Sequence, residues 1–423
     1  MHLIRLPLLL LACLLLPPHA AAAEARARPF VPADPEQVVA RVQSTRAEAG
    51  RPGLRGLRQG WRRAPEDPRA VLAFVQAALQ QARRDGDPRH LGEAEAALGP
   101  WAVAAAPPPE IRLWRATVRQ AQHDFVGALD DLAHLTGPAA RELPPALRAV
   151  AELQQAAVLQ VQGRYLDAAP HCEALLDPGL ARPGSEAGLA GAACLAELST
   201  LTGPPGPGRE VLARLDAGER GPAWLALLRA EAAERAGEVD EALRLYRRAL
   251  ATQPEVYVRV ALADALIDRG RWDEVLALLA DAPAAEALLL RRARAEQQLR
   301  RPEARETLAR LRATLDAQAL REDRGHAREA AWHALHLLRD PAAALALAEQ
   351  NWRQQREPID ARLLIEAATA AARPAAAEPV RRFLRETGLQ DRRLLVALAA
   401  LDAAEHRRAA APPAASATPE ARR

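Results

Sequence analysis

Residues 225–254 read LALLRAEAAERAGEVDEALRLYRRALATQP, and this stretch decides the fold. Gly237 is its pivot. Val239 follows two residues later, Ala242 five, Tyr246 nine, Ala249 twelve and Pro254 seventeen. Each position has a physical reason. Glycine ends a helix in a left-handed turn at no steric cost. Asp240 and Glu241 then favour the N-terminus of a second helix through its dipole. Ala242 is small, so two helices can approach closely there. Tyr246 fills the space beside that approach, and Ala249 keeps the next contact small. Pro254 cannot continue the helix and closes the unit. The stretch therefore predicts two antiparallel helices of about one unit's length.

The spacing recurs. Around Gly163 the chain reads QGRYLDAAPHCEALL, with Tyr165, Ala168, Cys172 and Leu175 at two, five, nine and twelve. Around His123 it reads QHDFVGALDDLAHL, giving Phe125, Ala128, Leu132 and Leu135. Gly270 is followed by Trp272, Val275 and Leu279. Weaker copies are expected near Arg300, Asp340 and Arg373, one between Gly203 and Gly208, and a first one at Gly86, where Leu91 takes the small-residue position. Anchors lie 30 to 40 residues apart. Hairpins of this kind have apolar stripes on both helices, so each needs a neighbour to cover it.

This pattern resembles the tetratricopeptide repeat (TPR). The resemblance is strong at Gly237, good at Gly163 and His123, and degenerate elsewhere. It spans roughly Val71 to Arg408. It implies an all-α solenoid of about nine TPR-like hairpins wound into a right-handed superhelix. The first helix of each hairpin would line a concave face. A protein or peptide partner would be captured there, as helix or extended strand. By that resemblance the groove is built on Val150 to Val161, Trp224 to Arg235, Tyr257 to Asp268 and Ala287 to Gln298. The residues expected to project into it are Gln120, Gln160, Glu231, Glu234, Asp264, Asp268, Arg294 and Gln297. The chain has no Lys, all 57 of its basic residues being Arg, so a Lys/Asn clamp for acidic tails cannot be assembled. Globally the chain resembles Ala- and Arg-rich exported TPR proteins of proteobacteria.

Composition agrees with this fold class. The 423 residues are 49% hydrophobic and only 3% aromatic, with Ala and Leu dominant, which disfavours an all-β fold. Charged residues at 26% argue against a polytopic membrane protein or general disorder. The net charge of +3 comes from interspersed signs, so no nucleic-acid partner is expected.

Met1 to Arg5 is short and basic, and Leu6 to Leu16 is an apolar run interrupted by Pro7. Eleven residues are too few to cross the bilayer, which takes about 20 in a helix, but they suit a secretory signal with small residues up to Ala23. The expected organisation is a signal peptide at 1–23, a loose arm at 24–68 with one helix from Glu36 to Ala49, a solenoid at 69–408 and a disordered tail at 409–423. Leu389 to His406 would form a helix that caps the array. The mature protein would be periplasmic. Leu10-Leu11-Ala12-Cys13 also resembles a lipobox, which leaves open an outer-membrane lipoprotein anchored at Cys13. Signal removal leaves Cys172 and Cys194, a pair that could bridge in an oxidising compartment or sit as two small buried hydrophobes.

Little in the sequence points to catalysis. TGPPGPGRE at Thr202 to Glu210 lacks phosphate-loop spacing and reads as an inter-helix turn. His326, His333 and His336 share one segment, with His333 and His336 one helical turn apart and Glu329 four residues before His333. A metal site there, and with it a metal-dependent enzyme, is the weaker alternative to core or groove histidines. His171 and Cys172 are adjacent on a helix and do not face each other, so no Cys/His pair is expected. The Arg pairs, such as Arg247-Arg248 and Arg291-Arg292, read as solvated helix faces near acidic residues. The expectation is a binding scaffold without a cofactor, not an enzyme.

Overall fold

In the computed structural model, residues 53–409 are described, apart from 105, 183, 217–221 and 321–326. They belong to one compact unit that begins at Gly53. The signal segment, the helix expected from Glu36 to Ala49, His326 and the tail from 410 onward lie outside the described residues.

The described unit is all-α, with helices packed as sequential hairpins. A leading helix α1 (Leu54–Arg63) precedes nine pairs. These are α2 (Pro68–Asp85) with α3 (Arg89–Ala97), α4 (Pro109–Ala121) with α5 (Phe125–Thr136), and α6 (Pro145–Val161) with α7 (Tyr165–Ala174). Next come α8 (Glu186–Thr202) with α9 (Pro205–Leu215), α10 (Ala223–Ala236) with α11 (Val239–Thr252), and α12 (Val256–Ile267) with α13 (Trp272–Leu278). The last are α14 (Glu286–Gln298) with α15 (Ala304–Leu320), α16 (Ala327–His333) with α17 (Pro341–Trp352), and α18 (Pro358–Ala370) with α19 (Glu378–Thr387). A final helix, α20 (Arg392–Ala409), packs on α18.

The pivots sit close to where the spacing put them. Left-handed backbone occurs at Gly86, Gly163, Gly237 and Gly270, and also at His123, Arg300, Arg339 and Ala372. Two expected pivots, Asp340 and Arg373, are displaced by one residue. Asp340 instead caps α17, accepting a hydrogen bond from the Ala343 amide at 3.0 Å. The fourth hairpin has no left-handed residue at Gly203, whose backbone is extended at φ −130°. Its turn is also shorter than expected. α9 already begins at Pro205, inside the stretch read as a turn, because proline is tolerated in the first helical turn. Gly208 then lets α9 lie on α8, since a Cβ there would stand 2.5 Å from the Ala196 carbonyl.

Packing follows the sequence logic at the fifth hairpin. Ala242, Tyr246 and Ala249 are all buried between α10, α11 and α12. The arm differs from expectation: it was expected to run loosely to residue 68, yet α1 is ordered within it. Trp61 stacks on Phe74 of α2 at 4.9 Å, and Leu54 and Leu57 join the same core. That contact covers the otherwise open face of the first hairpin, which is what a terminal repeat requires.

Successive coils of the solenoid touch. The pivot of the first hairpin abuts Val256 and Ala285, at the start of α12 and the start of α14. Gly163 of the third meets Phe383 on α19, and a Cβ there would fall 2.6 Å from its ring. The Arg356 amide donates to the Val161 carbonyl at 2.8 Å, and the Gln390 amide to Leu201 at 2.7 Å. Gly237 of the fifth lies against Arg392 of α20. Each turn thus meets the chain five to six hairpins later. The largest core accordingly combines Ala156, Tyr165 and Leu201 with Trp352, Leu364 and Phe383.

Two features brace these layers. Cys172 on α7 and Cys194 on α8 form a disulfide with their Cα atoms 5.7 Å apart. Between α4 and α5, fully buried Asp131 accepts from Arg115 at 2.8 Å and from Arg119 at 2.8 Å, with Arg112 at 3.4 Å. These arginines follow one helix face, so part of the Arg content is interior bracing and not solvated surface.

Candidate functional site

The first helices of the hairpins, α6 through α18 in alternation, face one another across the inside of the coil. The opposite walls meet. Asp268, after α12, receives Arg362 of α18 at 2.5 and 2.7 Å, three hairpins further along the chain. Glu234 of α10 receives Arg393 of α20 at 2.8 Å. A coil of five to six hairpins per turn leaves a narrow inner space, crossed by ion pairs at these levels.

The expected groove residues lie on these helices, and most are engaged with their neighbours. Gln120 accepts from Gln154 at 3.2 Å, and Gln160 donates to the Cys194 sulfur at 3.4 Å. Asp264 holds Arg291 through two bonds of 2.9 and 2.8 Å, and that guanidinium lies 4.8 Å above the Trp332 ring. Arg294 donates to the His336 carbonyl at 2.9 Å. Glu234 also accepts from the Tyr246 hydroxyl at 2.8 Å. Gln297 is half-buried at the end of α14. Of the eight, Glu231 belongs to a group with unspent capacity.

That group is a polar track over three consecutive first helices. Glu231 and Arg235 lie one turn apart on α10. Arg235 reaches across to the Thr200 hydroxyl on α8 at 2.7 Å, and Glu197 sits one turn before Thr200. On α12, the Tyr257 hydroxyl donates to Glu231 at 2.7 Å. Tyr257 as a residue nevertheless keeps 51% of its surface accessible. Its hydroxyl is held well above the ordinary tyrosine range, by the Glu231 charge and then by burial. Tyr257 thus stands beside an open space on the inner side of α10 and α12.

Several groups bounding this space lack partners. The Tyr165 hydroxyl and the Arg235 Nε are buried and have no hydrogen-bond partner among the described residues. Burial pushes the Glu197 carboxyl up to about 7, with Glu231 adding to the shift. Burial likewise raises Glu231 and Glu357. Across the space, Arg328 of α16 is committed to Asp360, Gln355 and Glu357. Glu197 and Glu357 went unremarked in the sequence, Arg235 stood only as the end of a groove segment, and Tyr165 only as a repeat position. Only the register of each inner face, which depends on where helices start, reveals them. The TPR spacing marks the buried positions and not the inner ones.

The histidine segment does not have the assumed geometry. α16 ends at His333, and Ala334–Leu338 is a π-helical turn closed by the Asp340 amide on the Ala334 carbonyl at 2.9 Å. The α-helical spacing assumed for His333 and His336 therefore fails. The His336 ring packs tilted against Trp332 with centroids 4.6 Å apart, and burial, with Arg294 and Arg362, pushes its imidazole down to about 4. Burial lowers His333 as well. Among the described residues, no three or more His, Cys, Asp or Glu are grouped to hold a metal ion. His171 bonds Glu152 at 2.6 Å, while Cys172 is tied up in the disulfide. Among the described residues, no helix is long and apolar enough to cross a membrane.

No known family profile matches the chain, and no curated protein does. Among solved structures, it is similar to a chain in the APC/C hetero-tetramer Cut9-Hcn1, at 13% identity and a TM-score of 0.42, covering 84% of this chain and 72% of that one. It is also similar to yeast Tom70, at 11% identity and a TM-score of 0.34, covering 84% of this chain and 92% of that one. The hairpin architecture stands on the contacts between its own helices.

Proposed function

We propose that this chain is a non-enzymatic scaffold that holds a protein or peptide partner against the inner faces of α8, α10 and α12. The carrying observation is Tyr257, a large aromatic left half uncovered on an inner wall whose other side chains are mostly engaged. Exposed rings beside polar groups are the usual anchors of peptide recognition. The narrowness of the space favours an extended segment over a helix, because an α-helix with its side chains is about 10–12 Å wide. The test is site-specific photo-crosslinking in cells. A photoreactive phenylalanine analogue at Tyr257 should give a discrete adduct, and the same analogue at Leu166, 89% exposed on α7, should not. Equal adducts at both positions, or none at Tyr257, would overturn the reading.

The setting we propose is the periplasm. The basic and apolar N-terminus supports it, and so does a disulfide, which persists in oxidising compartments. The second reading is a lipid-anchored envelope assembly factor, modified at Cys13. Intact mass of the mature protein separates the two: a free N-terminus near Glu24 fits soluble export, and a diacylated Cys13 fits the anchor.

A further inference from the structure

We propose that the space bounded by Glu197, Glu231, Tyr257 and Tyr165 is a subsite for one cationic side chain, the ammonium of a lysine or the guanidinium of an arginine, carried by the partner. This deepens the scaffold reading and rests on it.

Charge comes first. Glu197 and Glu231 face the space with Arg235 as the cation between them; Glu357 is already held by Arg328, and Arg393, the other cation near Glu231, is bound by Glu234 and Asp391. Arg235 spends one nitrogen on neutral Thr200 and makes no hydrogen bond to either carboxylate of its own track. One more positive charge would offset the excess. The unmet groups have the matching chemistry. Glu197 has no hydrogen bond from its side chain among the described residues, so it is an acceptor waiting for a donor. Tyr165 is 5% exposed, and its unpartnered hydroxyl has Arg235, Glu357 and Glu197 as its charged neighbours. A phenol oxygen of this kind can accept from an N–H.

The aromatic wall gives the same answer. Tyr257 donates its hydroxyl to Glu231, which orients the ring, and half of the residue's surface stays uncovered. A ring face beside carboxylates attracts ammonium and guanidinium groups. The unpartnered Arg235 Nε is a donor beside the space and suits a backbone carbonyl of the same guest. A lone metal ion would leave both that donor and the ring unused.

Proton linkage gives the proposal its signature. Glu197 is surrounded by Glu231 and Arg235 from α10, Glu357 from the segment before α18 and Tyr165 from α7. A cation can bind well only when Glu197 is ionised, so affinity should rise across neutral pH.

The experiment uses the folded full-length protein and three capped pentapeptides that differ only at the central residue: lysine, norleucine or glutamate. Binding is measured by calorimetry. At about pH 8 the lysine peptide should bind about tenfold more tightly than the norleucine peptide, and the advantage should vanish at about pH 5.5. Glu197→Gln should abolish the advantage at pH 8 while the circular dichroism spectrum is unchanged, and Tyr257→Leu should reduce it. Equal binding of lysine and norleucine peptides, preference for glutamate, survival of the advantage in Glu197→Gln, or no binding of any peptide would each overturn the subsite. A Tyr257 crosslink combined with any of these results would leave the scaffold reading standing and remove the cation alone.

Discussion

Asp131 is a fully buried carboxylate and Glu197 a half-buried one, and they do opposite things. Asp131 lies between the two helices of one hairpin and is ringed by Arg112, Arg115 and Arg119. Glu197 lies on an inner face, with another carboxylate near it and its one neighbouring arginine turned toward a hydroxyl. Within a hairpin, the buried carboxylate is paired with arginines. Across the inner space, charge is left out of balance. An imbalance of this kind costs stability, and a surface used for recognition is where such a cost is expected.

The comparison can be broken most forcefully at Asp131. Asp131→Ala removes the acceptor and leaves Arg112 and Arg115 nearly buried with no counter-charge from it. Breaking a buried pair from one side typically costs about 3–5 kcal/mol, far more than the pair itself contributes. Urea unfolding should show a loss of that size. A loss below about 1 kcal/mol would mean that the three arginines find water, and that this layer is as wet as the inner one.

A smaller effect is expected at the disulfide. It closes a loop of 22 residues and ties α7 to α8, the helix that carries Glu197. Replacing Cys172 and Cys194 with serine should cost about 3 kcal/mol, and unfolding with and without reductant measures it. Cys194 lies beneath the inner face, one turn before Glu197. If the double variant also loses the elevated titration of Glu197, the clamp on α8 shapes the inner space; if it does not, the two regions are independent.

Much of the fold was legible because its rule is local. Gly237, Ala242, Tyr246 and Ala249 define a hairpin within one short stretch, and the structure builds it as the residues direct. The pivot at Arg300 fell where the spacing put it, but at Arg339 and Ala372 the register slipped by one residue, because only the backbone shows whether Arg339 or Asp340 takes the left-handed place. α1 was missed for a different reason. Its Arg-rich sequence carries few apolar residues, and those few matter only because Phe74 and its neighbours need a cover. The inner space was illegible for the most general reason. It is made where α8, α10 and α12 face α16, α18 and α20, and no spacing within a repeat encodes which hairpin meets which a coil later. Glu231 was named from the family's geometry, but Glu197 and Tyr165 acquire meaning only through contacts between distant segments.

Glu197 itself gives the smallest and most discriminating effect. Its carboxyl titrates near 7 in the folded chain against a model-peptide value of about 4.3 when unfolded. Between those values the native state holds more protons than the unfolded state, so stability falls as pH rises through that window and is flat above it. Glu197→Gln removes the titration. The variant should match the parent near pH 4.5 and exceed it at about pH 8, by on the order of 1–2 kcal/mol once the water in the inner space is allowed for. Paired denaturant unfolding curves at the two pH values measure this directly. A gain at pH 8 that is absent at pH 4.5 would mark Glu197 as a charge kept at the expense of stability. If the variant is instead destabilised at both, the carboxylate holds the fold together as Asp131 does, and the contrast between the two regions disappears.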